Sequence, residues 1–397
     1  MNPNLLWVYT DKDLGFTSSW PAIARFDKDT WHGVFGSGPL SYRGQRDPGS
    51  SRNKFGPGAT GLGQIFSIDL KTGQEKYQED VGSETMAFMG DPAIFDMPKN
   101  YVTDLVYIGK NYESAPGVWS GKVHRLVTYG DKDTSKWKLS ELFDVQKPVL
   151  VKPTASMDAQ GRFWVYFGSG RLFSAGPASD QTDTSTQTLY GMKESSSNGC
   201  WDGSTGNWKA TCPTILATDL LNSTSIVVEK DGSITGCGAC SATQDTVTEL
   251  INDVMNGTSP KAGWFIDLTA GERVLHESSI LGGILTVTTH TPGVEICVPQ
   301  GTNAIFAVNF ETGVAYPTID PITGSTVGAL GLESDNVTIM RRKALGQGVA
   351  SKVNVVVSES SVTAFVQSST GEIIQIKDLG LQYDIRQGTR IFQEKSE

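Results

Sequence analysis

The feature that most constrains what this chain can become is a nine-residue unit that occurs twice, as IFSIDLKTG from Ile65 to Gly73 and as IFAVNFETG from Ile305 to Gly313. Apolar residues alternate along its first half at the period of a strand, so one face can pack against a neighbouring sheet. Asp69 and Asn309 stand at equivalent places, where a side-chain oxygen can accept hydrogen bonds from turn amides, and the closing glycine can take a positive φ. Each copy therefore reads as a strand feeding a tight hairpin. Weaker relatives begin at Gly121 (GKVHRLVTYGD), Thr188 (TLYGMKES) and Val362 (VTAFVQSSTGEIIQI). A chain assembled from many such hairpins must protect its sheet edges, and four-stranded sheets repeated radially achieve this. At roughly 40 to 50 residues per repeat, the chain accommodates about seven. The predicted fold class is all-β, a modified seven-bladed β-propeller forming a single domain over residues 1–397. The opening segment Leu5–Tyr9 is expected to be a strand that shares a blade with the hairpin around Ser368–Gly371.

Composition agrees with this reading and narrows the partners. Glycine numbers 44 and charged residues make up only 19%, which suits many short strands joined by tight turns. A formal charge of −10 repels phosphate backbones, so nucleic acid is not an expected partner. No run of about eighteen apolar residues occurs, and residues 1–20 lack the basic start, apolar centre and cleavage site of a secretory signal. The expectation is a chain without a membrane span that does not direct its own export.

Two stretches read as insertions. Residues 36–63 are rich in glycine and charge with little apolar periodicity, and are expected to form a long surface loop. Residues 194–261 hold four of the five cysteines and one helical pattern, Gln244–Met255, in which Val247, Leu250, Ile251 and Val254 share a face. Cys200 and Cys212 can close one loop, while Cys237 and Cys240, in GCGAC, compete with Cys297 for a second bridge. A redox pair or half a zinc site is the functional alternative at Cys237 and Cys240. No second CxxC or nearby histidine completes a tetrahedral site, so a loop disulfide is expected.

Four segments, taken together and in order, carry a family likeness. They are LLWVYTDKDLGFTSSWPAIARFDKDTWHGVFGSG (Leu5–Gly38), PAIFDMPKNYVTDLVYIGK (Pro92–Lys110), VKPTASMDAQGRFWVYFGSGRLF (Val151–Phe173) and GWFIDLTAGERVLHESSILGGILTVTTHTP (Gly263–Pro292). The chain resembles the C-terminal domain of PilY-type adhesins of the type IV pilus tip. The resemblance implies a noncatalytic module that binds minor pilins in the pilus tip complex. It implies roles in pilus assembly, in opposing retraction and in attachment to host or abiotic surfaces. The implied location is extracellular, at the pilus tip or outer-membrane surface of a Gram-negative bacterium reached through the periplasm. Such proteins carry a large N-terminal adhesin region, which a preceding segment or a partner chain is expected to supply.

The family's second segment ordinarily holds a calcium loop, with oxygen-bearing side chains at positions 1, 3, 5 and 9. Here Asp96, Asn100 and Asp104 occupy positions 1, 5 and 9, while Pro98 removes the oxygen at position 3 and Lys99 adds a positive charge. The loop is thus a degenerate calcium site. The other reading, placed ahead of it, is that Asp96 and Asn100 cap the turn and Asp104 bonds backbone amides.

The remaining candidates read as structural. His32, His124, His276 and His290 have no ligand spacing and are expected to be packed or surface residues. Asp11-Lys12-Asp13, Asp27-Lys28-Asp29 and Asp131-Lys132-Asp133 are expected at hairpin tips. Trp7, Trp20, Trp31, Trp164 and Trp264 are expected to pack in the core. No hydrolase or nucleotide-binding motif occurs. The enzymatic alternative is a quinoprotein dehydrogenase, because Ile68–Lys76 resembles the repeat that docks tryptophans in those propellers. A carbohydrate-binding propeller is the other alternative.

Overall fold

The computed structural model describes residues 5–39, 61–97, 99–115, 117–173, 180–194, 199–202, 204–293, 301–319, 325–357 and 362–376. They form antiparallel meanders and hairpins with one short helix, and divide into two compact units, Met1–Asp183 with Lys193–Ala217, and Thr184–Met192 with Thr218–Glu397. The fold class is all-β, as the repeated hairpins predict.

The first unit opens with a four-stranded meander, β1 (Ala22–Arg25), β2 (Trp31–Gly36), β3 (Gln64–Asp69) and β4 (Glu75–Asp80). In the second sheet, β5 (Ala87–Met89) and β6 (Ala93–Phe95) both pair with the long β7 (Leu105–Ala115), which continues to β8 (Val118–Val127) and β9 (Lys138–Asp144). β10 (Thr154–Met157) and β11 (Phe163–Gly168) make an antiparallel hairpin. A small ribbon, Trp201–Asp202 with Asn207–Trp208, completes the ordered pairs. Ala24, Phe26, Val34, Ile65, Val81, Met89, Val106, Ile108 and Leu126 form a buried cluster between the two larger sheets.

In the second unit, Thr188–Met192 pairs antiparallel with Gly263–Asp267, and Leu220–Asn222 lies parallel to the latter. The segment 194–261 thus contributes a strand of its own to a main sheet. A further sheet joins Ile284–Pro292, Gly301–Asn309 and Arg342–Gln347, and a three-stranded one joins Asn354–Val357, Val362–Gln367 and Ile373–Ile376. Ile284, Ile305, Leu330, Leu345, Val353, Val366 and Ile376 make the core here.

Several expectations change in detail. Residues 5–10 are not a strand. They lie across the first meander, where the Tyr9 ring meets Phe35 and Phe66 edge-on and Trp7 Nε1 donates to Leu70 O at 2.9 Å. That cover explains why Gln64–Ile68 is buried on both faces instead of alternating. Trp20 and Trp31 are 78% and 43% exposed, not packed, whereas Trp164 and Trp264 are fully buried. Trp31 instead lies beneath the guanidinium of Arg25, its partner in the β1–β2 register. The helix is shorter than its pattern: one α-turn, Val247–Glu249, widens into a π-helical segment, Leu250–Met255. Widening turns Met255 inward beside Val247, Leu250 and Val254, and leaves Ile251 half-exposed. The expected 36–63 loop falls largely outside the described residues, as do Pro98 and Cys297. No helix among the described residues is long and apolar enough to cross a membrane.

Candidate functional site: the loop from Asp96 to Asp104

β6 and β7 are joined by a turn that folds around its own side chains. Asp96 Oδ1 accepts from Asn100 N at 2.8 Å and Oδ2 from Tyr101 N at 2.6 Å. Asn100 Oδ1 accepts from Val102 N at 3.0 Å, and Asp104 Oδ2 from Met97 N at 2.8 Å. Lys99 and Tyr101 take positive φ, 72° and 66°, a conformation that costs a non-glycine residue energy and that these amide-to-carboxylate bonds sustain. The base is tied down as well: Thr103 N donates to Arg25 O, Arg25 N to Thr103 Oγ1, and Thr128 N to Asp104 O. Tyr101, at the tip, is 78% exposed.

The three residues singled out in the sequence are therefore together on one loop, engaged in capping. Their oxygens are hard donors of the kind a divalent cation takes. Asp104 is buried, and that burial, with the nearby Asp96 charge adding to it, pushes its carboxyl up to about 7 despite the Met97 hydrogen bond. Among the described residues no group of three or more His, Cys, Asp or Glu side chains is arranged to hold a metal.

The repeated unit holds something the turn alone did not reveal. Asp69 Oδ1 accepts from Lys71 N and Thr72 N, both at 2.9 Å, and Asn309 Oδ1 from Glu311 N and Thr312 N, both at 3.0 Å. The glycines that follow both have φ 71°. Each turn docks a tryptophan: a Cβ on Gly73 would lie 2.5 Å from Trp7 Cγ, and one on Gly313 would lie 2.4 Å from Trp264 Cε3. Each indole N–H bonds the carbonyl one residue past the Asp or Asn, Trp7 to Leu70 and Trp264 to Phe310. At the degenerate Thr-Gly turn that ends in Gly371, no atom of the described residues lies within 4 Å of the corresponding position. Docking is thus realised at the two full copies of the motif and not at the degenerate one.

The charged core of the first unit was not foreseen. Arg125 and Glu194, both fully buried, pair at 3.0 Å. Tyr107 Oη and Cys200 N also donate to Glu194, while Arg125 Nη2 donates to Pro213 O. The pertinent sequence signal is slight: Arg125 stands in β8 between His124 and the apolar pair Leu126 and Val127. Lys110, also fully buried, pairs with Glu84, which Lys122 meets from the other side.

The other candidates are structural where the structure describes them. His32 and His290 are buried against Ser67 and Asn303. His124 is buried, which together with Lys110 and Lys122 lowers its pKa to about 3. In each acidic triplet the first Asp accepts from the amide two residues on; residues 27–29 and 131–133 lie in the β1–β2 and β8–β9 connections, whereas residues 11–13 precede β1 and are at no hairpin tip. Disulfides join Cys200 to Cys212 and Cys237 to Cys240, resolving the competition left open by the sequence.

No family model matches the chain. It is 26% identical over 329 residues, 79% of its length, to the type IV pilus biogenesis factor PilY1 homolog of Xylella fastidiosa. It is 24% identical over 349 residues, again 79% of the chain, to PilY1 of Pseudomonas aeruginosa strain PAO1. These alignments cover 22% and 27% of the respective relatives, so the chain spans about a quarter of their length. The crystal structure of the Pseudomonas aeruginosa PilY1 C-terminal domain superposes with a TM-score of 0.62 and 17% identity, covering 93% of this chain and 73% of that one. Sequence relatives and shared fold agree with the four segments from which the likeness was first read: the chain is a homologue of the PilY1 proteins with the fold of their C-terminal domain.

Proposed function

We propose that the chain is a noncatalytic module of type IV pilus biogenesis that binds minor pilins at the pilus tip and modulates extension, retraction and surface attachment. The observation that carries this reading is similarity to PilY1 proteins along 79% of the chain, joined to the fold of their C-terminal domain. On this reading the chain acts outside the cell, at the tip or outer membrane. The hairpin scaffold supplies rigid sheets, and its loops offer the contact groups, among them the exposed rings of Trp20 and Tyr101. Pull-down of purified minor pilins by the intact chain tests the reading. Saturable retention, weakened by Trp20→Ala or Tyr101→Ala with the fold unchanged, is expected. No retention of any minor pilin, or turnover of an alcohol or sugar with added quinone cofactor, would count against it.

A second reading concerns calcium and is favoured by one observation, the gathering of Asp96, Asn100 and Asp104 side-chain oxygens on one short loop with Asp104 buried. Asp96, Asn100 and Asp104 would hold the cation, and its charge would relieve the repulsion between the two carboxylates. Thermal unfolding with calcium or a chelator decides it. A midpoint that rises with calcium in the native chain and not in Asp104→Asn supports a site, and equal midpoints reduce the loop to a self-capped turn.

A further inference from the structure

We propose that the Cys237–Cys240 disulfide is an exchange site that accepts an external thiol. The two disulfides differ in what surrounds them. Cys200 is fully buried and Cys212 half-buried, the Cys200 backbone N–H is bonded to Glu194, and both sulfurs lie against the Lys209 carbonyl. Cys237 and Cys240 are each partly open to solvent, the intervening Gly238 and Ala239 are exposed, and among the described residues a side chain on Gly238 would meet nothing within 4 Å. Among the described residues, no hydrogen bond fastens positions 237–240 to the rest of the chain.

Nor does the loop depend on the disulfide for its shape. Its base is closed by Ile234 N to Asp245 O at 2.7 Å, by the Ser233–Thr246 bridge and by Val247 N to Gly232 O at 3.0 Å. Its exit is set by Gly236, whose φ of 77° and contact with Ser225 O admit no side chain. Its return is set by the Ser241–Gln244 turn, held by Gln244 N to Ser241 O and Ser241 N to Gln244 Oε1. The crosslink spans three positions and so closes a very small loop, which restrains the unfolded chain less than the twelve-position span of Cys200–Cys212. An accessible disulfide that the fold does not need is the kind that exchanges.

The step is a balanced displacement. A thiolate attacks one of the two sulfurs, a new S–S bond forms as the Cys237–Cys240 bond breaks, and the displaced sulfur leaves with the electron pair and takes a proton from water. The entering thiol is oxidised to the mixed disulfide, and one cysteine is reduced. No Lys or Arg occurs between Lys230 and Lys261, so no cation close in sequence holds the released thiolate, and closure of the original pair competes with capture.

The test uses the intact chain in graded glutathione and, separately, with a short cysteine-containing peptide. Acid quenching, differential alkylation and peptide mass spectrometry follow each disulfide. Cys237–Cys240 is expected to open at least about tenfold faster than Cys200–Cys212 and to yield a mixed disulfide with either thiol, with thermal midpoint and far-ultraviolet spectrum unchanged. Opening no faster than Cys200–Cys212 would overturn the proposal, as would a fall in thermal midpoint on opening. Cys297→Ala separates the sources of the thiol. Unchanged capture in that variant supports an external thiol, whereas opening that needs no added thiol and stops in Cys297→Ala overturns it.

Discussion

Gly313 and Gly371 close turns of the same kind, yet an added methyl group affects them differently. At Gly371 the cost is that of a left-handed backbone alone, about 1–2 kcal/mol. At Gly313 the same strain is joined by collision with the buried Trp264 ring, bringing the expected loss to about 3 kcal/mol or more. Urea denaturation of Gly313→Ala and Gly371→Ala checks the difference. Asp104 supplies a second residue-scale prediction. Its folded pKa of about 7 lies above the unfolded value, so the folded chain holds a proton that the unfolded chain releases. The stability this contributes is full below the unfolded pKa and is lost as pH rises toward 7, by roughly 1 kcal/mol per pH unit at the steepest. Asp104→Asn should flatten that decline, measured as thermal midpoint against pH. His124 runs the other way: with its pKa lowered to about 3, its contribution is present above the unfolded value and is lost as pH falls from about 6.5 toward 3. Local chemistry of this sort was partly legible in the sequence. Asp69, Asn309 and their glycines announce a turn because the interactions span four residues. The tryptophan that each turn receives comes from a distant segment, and neither periodicity nor propensity ranks Trp7 and Trp264 above Trp20 and Trp31.

The loop bounded by Cys200 and Cys212 joins covalent and ionic restraint within one element. Cys200 donates its amide to Glu194, and Pro213, next to Cys212, offers its carbonyl to Arg125, so the disulfide links the neighbours of both poles of a buried ion pair. Replacing both cysteines with serine should cost about 3 kcal/mol from loop closure alone. It should also let water reach Glu194, visible as faster exchange of the backbone amide at position 200 and along β8. The sequence located this loop by its cysteines but not the pair it covers, because Arg125 and Glu194 are 69 positions apart. The helix teaches a related lesson. Thr246 and Glu249 form the capping box that begins it, and both are visible in the sequence. The π-helical widening that follows sets which apolar side chains face inward, and a 3.6-residue period does not anticipate it.

For the whole molecule, charge sets the behaviour most open to measurement. With a net charge of −10 and an isoelectric point near 5.0, the chain should scatter light most strongly around pH 5 and regain clarity on either side, as self-repulsion returns. Added salt at pH 7 should bring it closer to that condition by screening. The all-β class and the hairpin repeat were legible at this scale because they rest on period-two alternation and glycine spacing along the entire chain. The exposure of Trp20 and the irregular path of residues 5–10 were not, since both follow from which surfaces the folded sheets leave open.

The two docked indoles have a consequence for how such a chain can change length. Trp7 meets Leu70 across 63 positions and Trp264 meets Phe310 across 46. Each ring acts as a clasp fixing the ends of its span while placing no demand on the number of residues between them. Because the entropy of closing a span grows only with the logarithm of its length, a stretch within the clasp can be enlarged or trimmed at little expense to the fastening. New surface can therefore be added between the fixed points without redesigning the hairpin that anchors it.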